Sequence, residues 1–524
     1  MKLCKAVWLV ALLVMCFGVM SFVGVAQENV INVGFRGDPG NLDPAATMPT
    51  NNTWFMFYNV YERLCRADKE DPNKVVGILA TDWKVFEDGK VWVFYLRQGV
   101  LFHDGTPFNA EAVKYSFDRL IGIAKGPASW FLDVIDEVIV EGEYVVKFNL
   151  KRPYSIFPNL LSAIDGPYIV SPTAFKAHAT SDDPWATEWT RENMVGTGPY
   201  VITEWVHEQY VILEAFVDYW GGWEGKHFTK INFKIVREPS SRKLGLLIGT
   251  LDYTEDIAFT DIPSLVVAKD VNVHANSTTQ HWIVHMNNQR APLDNPKVRQ
   301  AISYAFPYTD TIQYIFQGYA RQAQGGLGRG LLYHNDGVVM YETDLEKAAE
   351  LLAEAGHPEG GFTLDILTIT GLGFQQQIAE ALQSNLAQLG ISLEIRSYPW
   401  PTLVEMNSLD PQERPYMTIR YNAPDFNDPF SQTLKPIYFC DDPWNWSAYC
   451  NPYYEDVYAR AATTTDPDEL KAIAYELQEI VVGDAVNIFI AEGTQVAATR
   501  KDIKGYYAIS FYPGFAYIYD MYRE

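Results

Sequence analysis

Cysteine, histidine and positive charge are all scarce in this chain of 524 residues. Five cysteines and nine histidines form no CxxC pair and no cluster with metal-ligand spacing, so the sequence argues for no resident metal and no cofactor. His281 and His285 stand four apart in the run His-Trp-Ile-Val-His. On a strand both point to one face, but with no third ligand nearby they read as structural. The motifs that carry catalysis are missing too: there is no G-x-S-x-G elbow, H-E-x-x-H pair or P-loop. Gly325-Gly326-Leu327-Gly328-Arg329-Gly330 lacks the Lys-Ser/Thr of a phosphate loop and is expected to be a flexible surface loop. Asp425 and Asp428, three apart around Asn427 and ahead of Pro429, have the spacing of an Asx-type turn rather than of a catalytic pair. A binding protein that is not an enzyme is the expectation.

Basic residues number 41 against 65 acids, a formal net charge of −24. A surface this acidic argues against nucleic acid and anionic membranes as partners. Long apolar runs are equally rare. One of them, Ala6–Val25, follows Lys2 and Lys5 and ends at Gly24 and Ala26, the pattern of a signal peptide cleaved before Gln27. Cleavage removes two bases and no acid, leaving 39 against 65 and a net charge of −26. No later segment is apolar enough to span a bilayer. The expected location is therefore periplasmic or otherwise extracytoplasmic, an oxidising setting in which Cys440 and Cys450 are expected to bond across Pro443 and Cys65 to stay free. The alternative is a pair of unpaired thiols.

What the chain does have is length and apolar content. Single cores stop growing near about 250–300 residues, and 48% of this sequence is hydrophobic, so two large lobes are expected. Val30–Phe35 alternates as a strand and Trp54–Leu64 reads as a helix. Thr81–Phe86 and Val91–Leu96 flank Asp88-Gly89, a strong hairpin signal. Asn109–Leu120 reads as an amphipathic helix, and Val138–Val140 with Val145–Leu150 as a second hairpin. Further on, Thr343-x-x-Glu346 has the capping-box pattern, with its helix closing at Gly356. Strand Thr363–Ile369, helix Phe374–Leu389 and strand Ile391–Arg396 make a βαβ unit with parallel strands. A helix spans Pro467–Val482, and Tyr506–Tyr519 suits a return strand or packing segment.

The segment WKVFEDGKVWVFYLRQGVLFHDGTPFNAEAVKYSF, ending at Phe117, resembles the signature of the peptide/nickel-type (family 5) extracytoplasmic solute-binding proteins of ABC transporters. Leu96–Val100 and Phe102–Phe108 are its most diagnostic parts. Similar blocks recur along the chain: Gly34–Asp43, Tyr61–Leu64, Gly196–Tyr200, Pro292-Leu293-Asp294 with Val298–Ala301, Ala348–Gly356 and Asn451-Pro452. The resemblance implies a two-lobed α/β periplasmic-binding-protein fold of type II, with two hinge crossings and an extra subdomain in the first lobe. Its expected divisions are a signal peptide at 1–26, lobe 1 at 27–280 with the subdomain near 65–195, lobe 2 at 281–492, and a return to lobe 1 at 493–524. It implies a monomer that delivers its ligand to ABC transporter permease subunits.

The resemblance also points to ligand residues. Tyr421-Asn422-Ala423-Pro424-Asp425-Phe426-Asn427-Asp428-Pro429 matches the stretch where peptide-binding members set an aspartate against the ligand's α-ammonium group, and Asp425 falls on that position. Tyr421, Asn422, Ala423 and Phe426 are expected beside it. The loop Thr47–Thr53, with Met48, Thr50 and Asn51, is expected to face the cleft. Dipeptide-binding members hold the ligand carboxylate with an arginine upstream of the helix that here begins near Phe374. This chain has Thr368-Ile369-Thr370-Gly371-Leu372-Gly373 there, a departure that favours longer peptides. Twelve aromatics lie between Tyr416 and Tyr458, and Trp400 follows a strand end, where open-sheet ligand sites lie. Such rings stack on sugars as well as on apolar side chains, so an oligosaccharide receptor is the alternative reading and a secreted hydrolase a more distant one. Nickel chelates, haem and opine-like compounds are further cargoes of the family.

Overall fold

The computed structural model describes residues 29–47, 50–71, 73–255, 257–508 and 516–524. The signal-peptide segment and Met48 lie outside the described residues, as does the middle of the Tyr506–Tyr519 stretch.

Alternating strands and amphipathic helices of the expected lengths give a mixed α/β architecture with three main cores. The first gathers Ile31, Val33 and Phe35 with Phe55, Ile231 and Phe233. The second gathers Ile283, Leu364, Ile366, Ile378, Ile419 and Ile488. A smaller third core, around Phe94, Phe117, Phe148 and Phe157, covers one face of a separate four-stranded antiparallel sheet. Phe148 meets Phe94, Phe117 and Phe157 edge-on, with ring centroids 5.0–5.6 Å apart, the geometry that aromatic quadrupoles prefer.

Two long strands join the lobes. Val271–Met286 and Asn487–Arg500 pair antiparallel from Val271↔Arg500 to His285↔Asn487. At one end Asn487–Arg500 takes Tyr253–Thr254 as its other neighbour, and through it Val30–Phe35. At the other end Val271–Met286 takes Met417–Asn422, which continues to the parallel pair Thr363–Ile369 and Ser392–Tyr398. The register slips between Ser277 and His281, midway along the ladder.

Most elements form where the sequence places them, with instructive exceptions. The early helix is Asn51–Val60 rather than Trp54–Leu64, because Glu62–Arg63 leaves to pair with Tyr168–Ile169. The helix after Thr343 starts one residue later than its capping box implies. Asp344 is the cap, accepting from Lys347 N–H at 2.8 Å, while the Thr343 hydroxyl donates to the Phe306 carbonyl at 2.7 Å. A carboxylate caps as well as a hydroxyl does, so Thr343 is free to tie the helix to its neighbour. The glycine-rich stretch is not a surface loop. Gly325–Gly328 is buried, and a Cβ on Gly326 or Gly328 would come within 2.4 Å of the Tyr438 hydroxyl or 2.5 Å of the Thr279 carbonyl. Here glycine serves close packing against the joining strands. Cys440 and Cys450 are bonded and Cys65 is free and buried.

One buried ion pair fastens the first lobe. Arg119, on helix Ala110–Ile123, donates to both oxygens of Asp43 at 2.7 and 2.6 Å, and Thr190 adds a third bond at 2.7 Å. Both charged side chains are almost fully sealed from water. Removing one partner strands the other charge, which costs about 3–5 kcal/mol. Asp43→Ala is therefore expected to lower the first melting transition in a calorimetric scan by roughly 10 °C; a shift of one or two degrees would contradict this account.

Candidate functional site

Where the lobes face each other lies a cavity of about 2060 Å³, roughly twice the upper end of ordinary small-molecule pockets, about 1,000 Å³. Its walls come from both lobes. Thr50, Trp54 and Asp165 line it from the first, and Trp400, Arg420 and Asp425 from the second.

The lobes are latched along one edge of this cavity by the loop that follows strand Met417–Asn422. Phe426 is 1% exposed and belongs to the third core, edge-on to Trp130 at 5.9 Å. Ile164 N–H donates to the Asp425 carbonyl at 3.2 Å. The Asn159 side chain donates to the Asn427 carbonyl at 3.0 Å, and Tyr154 donates its hydroxyl to Asp428 at 2.5 Å. Asp428 is the turn-former expected from its spacing, accepting from Phe430 N–H and from the Ser431 backbone and hydroxyl. Asp425 differs: its backbone N–H is held by Gln432 at 3.0 Å, and the residue lines the cavity.

Asp425 therefore sits in a poorly solvated place. Burial pushes its carboxyl well above the usual range, and the negative charge of Asp165 pushes it the same way. Asp165 is itself raised to about 7, chiefly by burial, with Trp54 and Arg63 pulling it back. Trp54 Nε1 donates to its Oδ1 at 2.5 Å. Its other oxygen is buried without a hydrogen-bond partner. Gly166 fixes the backbone beside it at φ +93, where a Cβ would lie 2.9 Å from Phe131.

On the second lobe, Trp400, Trp444 and Trp446 form an indole cluster with centroids 5.3–6.4 Å apart. Trp400 opens helix Trp400–Asn407 and is 41% exposed. The Arg420 guanidinium lies over Trp444 and Trp446 at 5.2 and 4.7 Å, within cation–π range. The Cys440–Cys450 bond closes the loop that carries Trp444 and Trp446.

The residues expected from sequence mostly converge here. Asp425, Asn422, Tyr421, Ala423, Phe426, Trp400 and Thr50 all line the cavity. Asn422 is turned partly aside, donating to Thr433 at 3.2 Å, and Tyr421 packs edge-on to Trp282 at 5.1 Å. Asn51 is the first residue of its helix. Sequence reasoning missed Asp165, Trp54 and Arg420. An arginine inside the otherwise buried strand Met417–Asn422 was a readable signal; Asp165, in an ordinary Asp-Gly-Pro turn, gave none. His281 and His285 are both buried, and burial lowers His281 to about 4, so it is neutral. Among the described residues no three His, Cys, Asp or Glu are grouped to hold a metal ion, and no helix is long and apolar enough to cross a membrane.

Comparison with known proteins agrees with this geometry. The chain is 30% identical over 488 residues to a probable D,D-dipeptide-binding periplasmic protein, DdpA, of Escherichia coli K12, covering 91% of each chain. It is 29% identical over 518 residues to the glutathione-binding protein GsiB of Pectobacterium atrosepticum, covering 96% of each. Among solved structures, the periplasmic binding protein DppA of Helicobacter pylori, in complex with the peptide STSA, superposes with a TM-score of 0.80 at 25% identity, covering 94% of this chain and 98% of that one. The middle-region model of the bacterial extracellular solute-binding proteins, family 5, matches residues 74–443; the chain belongs to that family.

Proposed function

We propose that this protein is the extracytoplasmic peptide receptor of an ABC importer, exported by a cleaved signal peptide and acting as a non-catalytic monomer that hands its ligand to the permease subunits. Lobe 1 is assigned to residues 27–280 with its subdomain near 65–195, lobe 2 to 281–492, and the return to 493–524. One observation carries the reading. An acid, Asp425, lines the inter-lobe cavity at a place where burial and a second acid both oppose its charge. A peptide's α-ammonium supplies the missing cation and gains a charge-assisted hydrogen bond. Relatives named for dipeptides, glutathione and a bound tetrapeptide support the ligand class, and the cavity volume favours more than two residues.

The indole cluster supplies an apolar wall for side chains rather than a sugar platform, because Arg420 already occupies faces of Trp444 and Trp446. Peptides, their N-acetylated forms and β-linked oligosaccharides are separated by a thermal-shift panel, since saturating ligand stabilises by RT ln(1 + [L]/Kd). Free-amine peptides are expected to raise the melting temperature, and sugars to leave it unchanged. Asp425→Asn is expected to weaken free-amine peptides by about tenfold to a hundredfold and acetylated ones far less. Equal losses would remove Asp425 from the amine role, and release of cleaved product from any bound peptide would overturn the non-catalytic reading.

Closure itself is testable through Tyr154, whose bond to Asp428 crosses the lobes. Tyr154→Phe removes a bond to a charged group worth about 1.5–3 kcal/mol, and a bond across the lobes is lost when they part. Peptide affinity is expected to fall about tenfold in calorimetric titration while ligand-free melting is little changed; unaltered affinity would show that this contact does not contribute to closure.

A further inference from the structure

We propose that Asp165 is a second anchor of the ligand's ammonium group, reaching it from the first lobe while Asp425 holds it from the second. This rests on the reading of Asp425 as an amine anchor. Both side chains line the same cavity, and they belong to segments joined directly across the lobes by the Ile164 N–H···O bond to Asp425 at 3.2 Å. Asp165 is 1% exposed. Trp54 takes one of its oxygens and the other has no hydrogen-bond partner. A buried carboxylate oxygen left bare costs the full desolvation of that group, so it calls for a proton or for a donor that arrives with the ligand.

The charges around the pair fit a cation of this kind. Behind Asp165, the Arg63 guanidinium is directed to the Ser162 and Ala163 carbonyls at 2.8 and 2.7 Å and acts on Asp165 through space. Tyr168, against the same segment, is held neutral by burial. On the other side, the charge that acts on Asp425 is Asp165 itself. Two acids so placed retain a proton between them when no ligand is present. An ammonium replaces that proton: one H⁺ leaves to solvent, N–H donors take its place, and the buried net charge stays the same. Below the pH at which the pair ionises the proton competes with the ligand, so affinity falls with acidity. Both carboxyls are pushed up, Asp165 chiefly by burial and Asp425 by burial and the charge of Asp165, which puts that competition above the ordinary carboxylate range. The site accepts a peptide's α-ammonium or a side-chain ammonium by the same chemistry.

Isothermal titration of the full-length mature protein tests this with three peptides: an alanine tripeptide, its N-acetylated form, and an N-acetylated peptide bearing lysine. Each is run from pH 5.5 to 7.5 in two buffers of different ionisation heat. The wild type is expected to release up to one proton on binding the free tripeptide, with affinity rising toward tenfold per pH unit in the acid range. The acetylated peptide should show neither effect. If the acetylated lysine peptide behaves as the free tripeptide does, a side-chain ammonium also fits; otherwise the site takes the α-ammonium alone. Asp165→Asn keeps an acceptor for Trp54 and is expected to weaken the free tripeptide about tenfold at pH 7.5, sparing the acetylated form. Equal weakening of both peptides, or of neither, overturns the proposal. Should that variant not fold, Trp54→Phe decides: losing the N–H donor raises the proton affinity of Asp165, so the rise in binding must move to higher pH, and an unmoved profile refutes the role. A wild type that binds no peptide, or an Asp425→Asn variant that weakens both peptides equally, instead defeats the underlying reading of the site.

Discussion

Two strands that belong to both lobes constrain everything else in this molecule. Val271–Met286 and Asn487–Arg500 run antiparallel to each other through the main sheet, with Tyr253–Thr254 beside one end of the pair and Met417–Asn422 and Arg321–Gln322 beside the other. Backbone groups in such a ladder must stay paired, so the lobes are tied without being fused into one core. A slip of register between Ser277 and His281 lies in the middle of the ladder, and bulges of this kind bend and twist a strand locally. Near the same level Glu492, nearly buried, is held by Arg321 and Arg329, and Gly328 packs against the Thr279 carbonyl with no room for a side chain. The joint is thus braced on one side and left facing a large cavity on the other, an arrangement in which movement at the joint opens or shuts that cavity.

Closure needs contacts that exist only when the lobes meet, and the loop after strand Met417–Asn422 supplies them. Phe426 is packed among side chains of the other lobe's subdomain, and Asp428 takes the Tyr154 hydroxyl. These favour closure whether or not a ligand is present. The two aspartates oppose it, because shutting the cavity takes their charges out of water. On the proposed reading, attraction from the latch and resistance from the acids leave the balance to a cation bound between the lobes, the kind of differential interaction that a ligand-driven transition requires.

Much of this was legible in the sequence, and the reasons are specific. Strand alternation, the Asp88-Gly89 hairpin and the βαβ unit at 363–398 are local patterns, and local patterns set these elements. The Asp425 segment was legible through its family likeness, and the Cys440–Cys450 pairing through spacing and compartment. What escaped depended on distant chain. Whether Thr343 or Asp344 caps a helix is settled by the Phe306 carbonyl, and whether Gly326 is loose or packed by Tyr438. Asp165 belongs to the same class. Its identity as an aspartate before glycine predicts a turn, and its partnership with a residue 260 positions later comes from tertiary approach alone.

The missing arginine upstream of helix Gly373–Gln388 acquires a physical meaning in this setting. A ligand clamped at both termini must match a fixed span, so its length is selected along with its chemistry. On the proposed assignment the acidic pair defines one end, and Thr370–Gly373 contributes to the cavity wall without a charge. The remaining volume, about 2060 Å³ in all, is bordered by the indole cluster, of which Trp400 is half-exposed. Arg420 is the cation seated on that apolar wall, over Trp444 and Trp446. Its position on the strand that leads to Asp425 fixes where it lies relative to the amine end. If the proposed pair holds the ammonium, discrimination is concentrated there, where a wrong group leaves two acids uncompensated, while the rest of the ligand meets a wall of mixed apolar and charged residues that includes Arg152, Arg237 and Lys435.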